Sequence, residues 1–354
     1  MDEAMRQGRI KVLVVEDSPV VRELLLFVLG SDPEIEVVGT VSDGAGAVAA
    51  VRRNRPDVVT MDLHMPGMSG YDATRAIMET CPVPIIVVSS NVDRHDVATA
   101  FQAIEAGAVM ALSQPAGPGH PEYQARAQEL ITAIKLMSEI KVVRRLSRYR
   151  PGQQTMVAAR SPVKQRELRA VAMGASTGGP LVLQRILSAL PADFPAPLFI
   201  VQHMADGFVS GLAEWLDQSC RLTVKLATHG EIAQPGCAYI APDGRHLKVD
   251  SNGQMLLTRG QKDDSFCPSV TCLFHSVAQA WGAAAAGVLL TGMGSDGAAG
   301  LKLMRDQGAL TIAQDERSCV VFGMPAEAIR LGAVERILEV DEIPAALLAA
   351  ARRT

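Results

Sequence analysis

Apolar and polar positions follow two different patterns along the first 145 or so residues of the chain. Short runs rich in Val, Ile and Leu have the length of buried strands, and the stretches between them repeat apolar residues at helical spacing. The predicted strands are Lys11–Val15, Glu36–Thr40, Asp57–Met61, Pro84–Val88 and Ala108–Leu112, and the predicted helices are Val20–Leu29, Ala45–Asn54, Tyr71–Glu79, Val97–Ala106 and Tyr123–Arg145. Five such alternations predict a doubly wound parallel sheet, because parallel neighbours need a crossover helix.

A second alternation begins at Ala170 and runs to the end of the chain, without repeating the sequence of the first. Its predicted parallel strands are Ala170–Met173, Leu198–Val201, Ala286–Leu290, Leu310–Ala313 and a run near Ala333–Ile337. Three further runs, punctuated by Pro-Gly and Asp-Gly turns, predict an antiparallel patch: Val224–Ala227, Cys237–Ala241 and Met255–Thr258. The fold class expected is α/β, with two doubly wound parallel-sheet domains, the first flavodoxin-like and the second Rossmann-like.

The segment between the two halves lacks both the strand-length apolar runs and the helical spacing of apolar residues. Residues 144–169 hold eight Lys or Arg against one acid, Glu167, together with Pro151, Gly152 and Pro162. This composition is typical of a solvated basic linker, and a docking segment for an acidic partner is the alternative. We therefore predict a first domain at 1–140, a linker at 141–168 and a second domain at 169–354.

Composition narrows the class of protein. The 354 residues are 48% hydrophobic and 20% charged, as in globular chains, and the net charge of −4 argues against nucleic acid as an obligatory partner. Six scattered cysteines without a C-x-x-C pair are typical of reduced thiols. No signal-peptide core and no apolar stretch of membrane-spanning length is present, so we expect a soluble cytoplasmic protein without membrane insertion.

Gly174-Ala175-Ser176-Thr177-Gly178 follows the first strand of the second half and precedes a helix-like stretch. A serine on such a sharp strand-to-helix turn projects its hydroxyl, and the helix start offers free N–H groups to an oxyanion. Ser176 is therefore a candidate nucleophile, with the N–H of Thr177 a candidate oxyanion donor. A helix N-cap is the alternative role for Ser176.

Two further strand ends of this half carry chemistry-bearing residues. His203 and Asp296 could supply a general base and an acid to orient it, and the Gly-rich run around Asp296 lets the N–H of Met293 or Gly294 reach an oxyanion. A core histidine and a helix-capping aspartate are the alternatives, and His246 is the second candidate for the base. The order Ser, His, Asp disfavours an ordinary α/β-hydrolase, in which the acid precedes the histidine.

Acidic residues collect at the predicted strand ends of the first half. Glu16 and Asp17 end the first strand and Asp62 ends the third. Clustered carboxylates at one sheet edge suit Mg²⁺, and Asp62 can attack a phosphoryl group as a nucleophile. Solvated strand-end acids are the alternative for each residue taken singly.

Longer motifs support a family resemblance. Residues 14–18 (VVEDS) and 61–70 (MDLHMPGMSG) resemble a response-regulator receiver. Residues 174–179, 201–204 (VQHM), 240–244 (IAPDG) and 291–300 are similar to the catalytic domain of CheB-type chemotaxis protein-glutamate methylesterases. The resemblance covers nearly the whole chain, in the family's order of receiver, linker and esterase.

The resemblance implies the roles of the site residues. Ser176 would be the nucleophile, His203 the base and Asp296 its partner, acting without a cofactor on glutamyl methyl esters in the cytoplasmic helices of a chemoreceptor. The products would be glutamate and methanol, and deamidation of receptor glutamines would be a second reaction. The receiver, with Mg²⁺, would inhibit the esterase until a histidine kinase leads to phosphorylation of Asp62.

This sequence departs from the receiver pattern at two positions. Gln114 stands before Pro115 where the family usually has a lysine that contacts the phosphoryl group, and Ala111 stands where an aromatic switch residue is usual. We expect Asp62 still to bind Mg²⁺ and accept phosphate, with weakened or altered coupling to the esterase. A signalling scaffold with an idle esterase and a broad carboxylesterase are the alternative functions.

Overall fold

The chain forms two compact units, Met1–Pro151 and Gly152–Thr354. A computed structural model describes residues 8–89, 94–139, 168–261 and 266–351, with backbone alone at 94–98. The predicted linker lies outside the described residues, apart from Leu168. The predicted extension of the last helix of the first half to Arg145 also lies outside them from residue 140 onward.

The first unit is a five-stranded parallel sheet in the order β2-β1-β3-β4-β5. Its strands are β1 (Ile10–Val15), β2 (Ile35–Val41), β3 (Val58–Met61), β4 (Ile85–Ser89) and β5 (Met110–Ser113). Its helices are α1 (Pro19–Gly30), α2 (Gly44–Asn54), α3 (Gly70–Thr80), α4 (Arg94–Ala106) and α5 (Tyr123–Ser138). This is the doubly wound, flavodoxin-like order, which confirms the predicted fold class for this half.

Local sequence explains where the helices of the first unit begin. The side chains of Ser18, Asp43 and Ser69 accept hydrogen bonds from the free N–H groups of the first turns of α1, α2 and α3. Gly70 follows directly because a β-carbon there would lie 1.9 Å from the carbonyl oxygen of Asp62. The absence of a side chain lets α3 start against the loop that carries Asp62.

The second unit is built on a seven-stranded parallel sheet in the order β14-β13-β12-β6-β7-β9-β8. Its strands are β6 (Ala170–Ala175), β7 (Leu198–Gln202), β8 (Thr223–Leu226), β9 (Cys237–Ile240), β10 (Arg245–Val249), β11 (Met255–Arg259), β12 (Ala285–Leu289), β13 (Leu310–Gln314) and β14 (Arg336–Leu338). Its helices are α6 (Gly179–Ala189), α7 (Val209–Ser219), α8 (Val270–Trp281), α9 (Ala298–Asp306), α10 (Met324–Arg330) and α11 (Ile343–Ala351). The second predicted parallel sheet is thereby confirmed.

The predicted antiparallel patch is wrong in its membership. Both β8 and β9 belong to the parallel sheet, while β11 pairs antiparallel with β10, a strand that the sequence reading missed. Sequential short strands separated by a Pro-Gly turn are typical of a hairpin, but the loop between β8 and β9 carries the chain back to the same end of the sheet. The strand β10 was missed because its apolar residues, Leu247 and Val249, alternate with polar ones over a short run.

Helix α8 packs between the main sheet and the β10–β11 hairpin. Its buried face, which includes Leu273, Phe274 and Val277, joins one core with Leu247 of the hairpin and Phe199 of β7. This packing brings the first turn of α8 to the carboxyl ends of the strands, where chemistry collects in open α/β sheets. Among the described residues, no helix has the length and apolar character needed to cross a membrane.

Candidate functional site

Ser176 lies directly after β6, at the carboxyl edge of the second sheet, and its N–H donates to the carbonyl of Thr291 at 3.0 Å. The N-cap of α6 is Gly178, in the left-handed region with φ +77°, so the capping role considered for Ser176 is not the one observed. The Ser176 hydroxyl makes no hydrogen bond within the described part of the chain and is half-buried. It is therefore available to a neighbouring base.

His203 occupies the equivalent position on the adjacent strand. Ala175 of β6 is in register with Gln202 of β7, so Ser176 and His203 each lie one residue beyond that pair. Nε2 of His203 lies 3.0 Å from Oδ2 of Asp296, with the two side chains 12% and 7% exposed. The ring N–H direction departs from this line, so the contact has ion-pair distance without hydrogen-bond alignment. With Nε2 on the carboxylate side, Nδ1 is the nitrogen left to accept a proton.

The carboxylate of Asp296 is held at the N-terminus of α8. It accepts hydrogen bonds from the N–H of Val270 (2.7 Å), Thr271 (3.0 Å) and Gly297 (2.9 Å), and from the hydroxyl of Ser269 (3.0 Å). Burial alone would raise the pKa of Asp296, but the closeness of His203 and the hydrogen bonding of Thr271 outweigh it and hold that pKa well below its usual range. The group therefore stays ionised, which suits an orienting role rather than proton uptake.

His246, the second candidate for the base, has a different place. It is buried on β10, and its Nδ1 accepts the backbone N–H of Ser269 at 3.2 Å. This contact fixes the residue that begins α8 and bonds Asp296. Sequence reasoning missed the role of α8, although the Ser269 N-cap before an apolar helical run was a readable signal.

The direction of the Thr177 N–H follows from the hydrogen bonds of the carbonyl that precedes it. The carbonyl of Ser176, in the same peptide unit, accepts from Nε2 of Gln202 and from the N–H of Gly179, each at 2.8 Å. In a trans peptide the N–H points opposite to the C=O. Because the carbonyl is held inward by two donors, the Thr177 N–H faces away from them and remains available to an anion.

The N–H of Gly178 is a further candidate donor, which was not among the predicted ones. The carbonyl of Thr177 accepts from Oγ1 of Thr291 at 2.9 Å, so the N–H of Gly178 in that peptide unit is turned the other way. Successive N–H groups on one side of a turn form a concavity that binds anions. Thr177 and Gly178 together are thus suited to a developing oxyanion.

Met293, the other predicted donor, lies in the loop after β12. The carbonyl of Gly292 accepts from the N–H groups of Gly323 (3.0 Å) and Met324 (2.9 Å), which turns the N–H of Met293 outward. Gly292 itself packs against the serine turn, since a β-carbon there would lie 2.7 Å from Cβ of Ser176. Met293 therefore lies in the loop immediately beside the nucleophile.

The first unit brings its three predicted acids together. One ligand oxygen from each of Glu16, Asp17 and Asp62 lies within 4.8 Å of the others. Burial and the charge of Asp62 raise the pKa of Glu16 to about 7, and burial and the charge of Asp17 raise the pKa of Asp62. Oxygen donors under mutual repulsion fit a hard divalent cation, which would relieve that repulsion.

Gln114 and Ala111 lie on or next to β5. Gln114 follows the strand, and its N–H donates to the carbonyl of Ser89 at 2.8 Å, which places it at the carboxyl edge of the sheet. Its amide side chain can donate and accept hydrogen bonds but brings no charge to that edge. Ala111 is 8% exposed, so its single methyl group is buried within β5.

Comparison with known proteins places each half of the chain in a family. Residues 171–347 match the CheB methylesterase family, and residues 12–120 match the response regulator receiver domain. The chain belongs to the CheB methylesterase family. The protein-glutamate methylesterase/protein-glutamine glutaminase of Nitrosospira multiformis is 50% identical over 340 residues, covering 96% of each chain. A relative of the same name, numbered 4, from Geobacter metallireducens is 52% identical and covers 96% of this chain and 98% of its own.

A solved structure of this family resembles the second half of the chain. The CheB methylesterase catalytic domain of Thermotoga maritima is 40% identical, with a TM-score of 0.50, covering 51% of this chain and 97% of that one. The response regulator domain of Thermotoga maritima CheB is 34% identical, with a TM-score of 0.34, covering 38% and 98%. The predicted family is confirmed.

We predict that Thr291→Val destabilises the second unit by about 2–3 kcal/mol, because it leaves buried backbone groups without a partner. Oγ1 of Thr291 donates to the Thr177 carbonyl and accepts the N–H groups of Val320 (3.1 Å) and Val321 (3.0 Å). Urea unfolding followed by tryptophan fluorescence measures the loss, since both tryptophans belong to this unit. Thr291→Ser keeps the hydroxyl and serves as the control. A valine variant as stable as the serine variant would contradict the prediction.

Proposed function

We propose that this protein hydrolyses glutamyl methyl esters of chemoreceptors to glutamate and methanol and deamidates receptor glutamines, using Ser176, His203 and Asp296. As a CheB methylesterase it is a carboxylic ester hydrolase. The observation that carries the mechanism is the His203–Asp296 contact on the strand next to the Ser176 turn. The names of the relatives support both the ester and the glutamine reaction. The substrate segment is helical and cytoplasmic in this proposal.

The first half of the reaction forms an acyl-enzyme. Nδ1 of His203 takes the hydroxyl proton of Ser176 as Oγ attacks the side-chain ester carbonyl, and the carbonyl π electrons move onto oxygen. The N–H groups of Thr177, Gly178 and Met293 bind that oxyanion. The tetrahedral intermediate collapses with cleavage of the bond to methoxide, which takes the proton from His203 and leaves as methanol.

The second half of the reaction restores the enzyme. Water gives a proton to His203 and attacks the acyl carbonyl, and collapse returns the proton to Oγ of Ser176 and frees glutamate. The ionised Asp296 stabilises the imidazolium in both halves without taking the proton. A glutamine substrate follows the same course, with ammonia in place of methanol as the leaving group.

The receiver supplies the control in this proposal. Glu16, Asp17 and Asp62 would hold Mg²⁺, which neutralises phosphoryl charge when bound, and Asp62 would accept the phosphoryl group from a histidine kinase. Gln114 has no positive charge that could contact the phosphoryl group, and Ala111 has no aromatic ring that could change position on phosphorylation. We infer that coupling between Asp62 and the esterase is weakened or altered.

We predict that Ser176→Ala lowers the rate of methanol release from a methylated receptor fragment by at least ~10⁴-fold, because the acyl-enzyme cannot form. Ser188→Ala on α6 is a matched control, since that hydroxyl bonds the carbonyl of Arg185 within its own helix. Methanol release that survives in the Ser176 variant would refute the nucleophile. Turnover of small soluble esters at rates comparable with the receptor fragment would favour a broad carboxylesterase instead.

We predict that Mg²⁺ binds more tightly at pH 8 than at pH 6. Glu16, with a pKa raised to about 7, is largely protonated at the lower pH and must lose its proton to become a ligand. Isothermal titration calorimetry measures the affinity and the protons released. Glu16→Gln should weaken binding and remove most of the pH dependence, whereas Glu36→Gln on the exposed face of β2 should change neither. A pH-independent affinity would refute the proposed ligand set.

We predict that acetyl phosphate with Mg²⁺ activates the wild-type esterase less than about 5-fold, which is the lower end of the range typical of allosteric coupling. Gln114→Lys should increase the activation, because an ammonium group can then contact the phosphoryl oxygens. Asp62→Asn is the control that removes phosphorylation. A large activation of the wild-type protein that is lost in Asp62→Asn would refute the weakened switch.

A further inference from the structure

The ring of Phe266 stacks on the ring of His203. The ring centroids are 4.6 Å apart and the planes differ by 5°. Phe266 is 42% exposed, whereas the His203 side chain is 12% exposed. A phenylalanine that remains partly in water yet lies flat on an imidazole contributes less to the core than to the group beneath it.

The stack with Phe266 restrains the tilt of the His203 ring, which the contact with Asp296 does not fix. The Nε2–Oδ2 contact between His203 and Asp296 is short but not aligned as a hydrogen bond, so it does not by itself fix the plane of the imidazole. A parallel aromatic ring opposes tilting about that contact, because tilting separates the two faces. Both ring nitrogens lie on the edge of the imidazole, which the stacked ring does not cover.

The position of Phe266 in the chain couples this contact to the acid. Phe266 precedes Ser269 by three residues, and Ser269 caps the N-terminus of α8 and donates its hydroxyl to Asp296. The segment 266–271 therefore covers the base with one side chain and holds the acid with its next turn. One short stretch of backbone thus contacts both the base and the acid.

We propose that Phe266 is a positioning residue that holds the imidazole of His203 in the plane required for proton transfer from Ser176. This inference rests on the proposed function of the triad. The π face of Phe266 also favours the imidazolium that forms during the reaction. Its effect should therefore appear in the chemical step rather than in substrate binding.

The test compares Phe266→Leu with Phe266→Tyr in the full-length protein. Leucine keeps an apolar cover without a flat face, and tyrosine keeps the ring. We expect Phe266→Leu to lower kcat for methanol release about 3- to 10-fold with little change in KM, and Phe266→Tyr to retain wild-type kcat. The rate at which a fluorophosphonate labels Ser176 should fall by a similar factor in the leucine variant. Phe27→Leu, which removes a 64% exposed phenylalanine from α1, should leave both rates unchanged.

Two results would overturn the inference. One is wild-type kcat and labelling in Phe266→Leu, and the other is a change confined to KM, which would make Phe266 a substrate contact. Unfolding in urea separates loss of positioning from loss of fold, since we expect the same midpoint in both variants and the wild type.

A spectroscopic readout keeps the inference distinct from the proposed function. The ring protons of His203 should be shifted upfield in the wild-type NMR spectrum and return toward ordinary values in Phe266→Leu but not in Phe266→Tyr. Absence of that shift would refute the stack. A wild-type protein that releases no methanol and is not labelled at Ser176 would refute the triad instead.

Discussion

The buried negative charge of Asp296 is the constraint on which the second unit depends. A carboxylate at 7% exposure needs compensation, and the first turn of α8 provides it through backbone N–H groups and a hydroxyl. Helix α8 must therefore approach the strand ends closely. It does so where β-carbons are missing: one at Gly174 would lie 2.2 Å from Cγ1 of Val270, and one at Gly297 would lie 2.6 Å from the same atom. The G-x-S-x-G motif thus contributes a packing surface as well as a turn.

A second physical rule organises the groups around Ser176. Each candidate oxyanion donor belongs to a peptide unit whose carbonyl is already bonded on the buried side, by Gln202, Thr291 or the 323–324 backbone. Planarity of the peptide then turns each N–H away from that buried side. Gln202 and Thr291 are buried and touch no reacting atom in the proposed mechanism. Their effect is to set the direction of donors that do.

The pKa values of the site carboxylates are shifted in opposite directions in the two units. In the second unit, protein donors surround one carboxylate and hold the pKa of Asp296 low. In the first unit, carboxylates face one another with less compensation, and the pKa values of Glu16 and Asp62 are raised. The difference follows from the partners: a helix terminus compensates the charge of Asp296, whereas Glu16, Asp17 and Asp62 lie close to one another.

The sequence predicts most of the strands and helices, the presence of two parallel sheets, the three candidate triad residues and the receiver acids, because burial on both faces and strand-end chemistry leave local patterns. It does not predict β10 or the pairing of β11 with that strand. The comparisons confirm the family and the fold class, while the roles of Ser176, His203 and Asp296 stay predictions. Tertiary structure alone decided that β8 and β9 run parallel and that His246 supports the start of α8. It also decided that Phe266 lies on His203 and that Gly178 offers a donor. Each of these features depends on contacts between segments that are distant in the sequence. The spacing of residues along the chain does not determine those contacts.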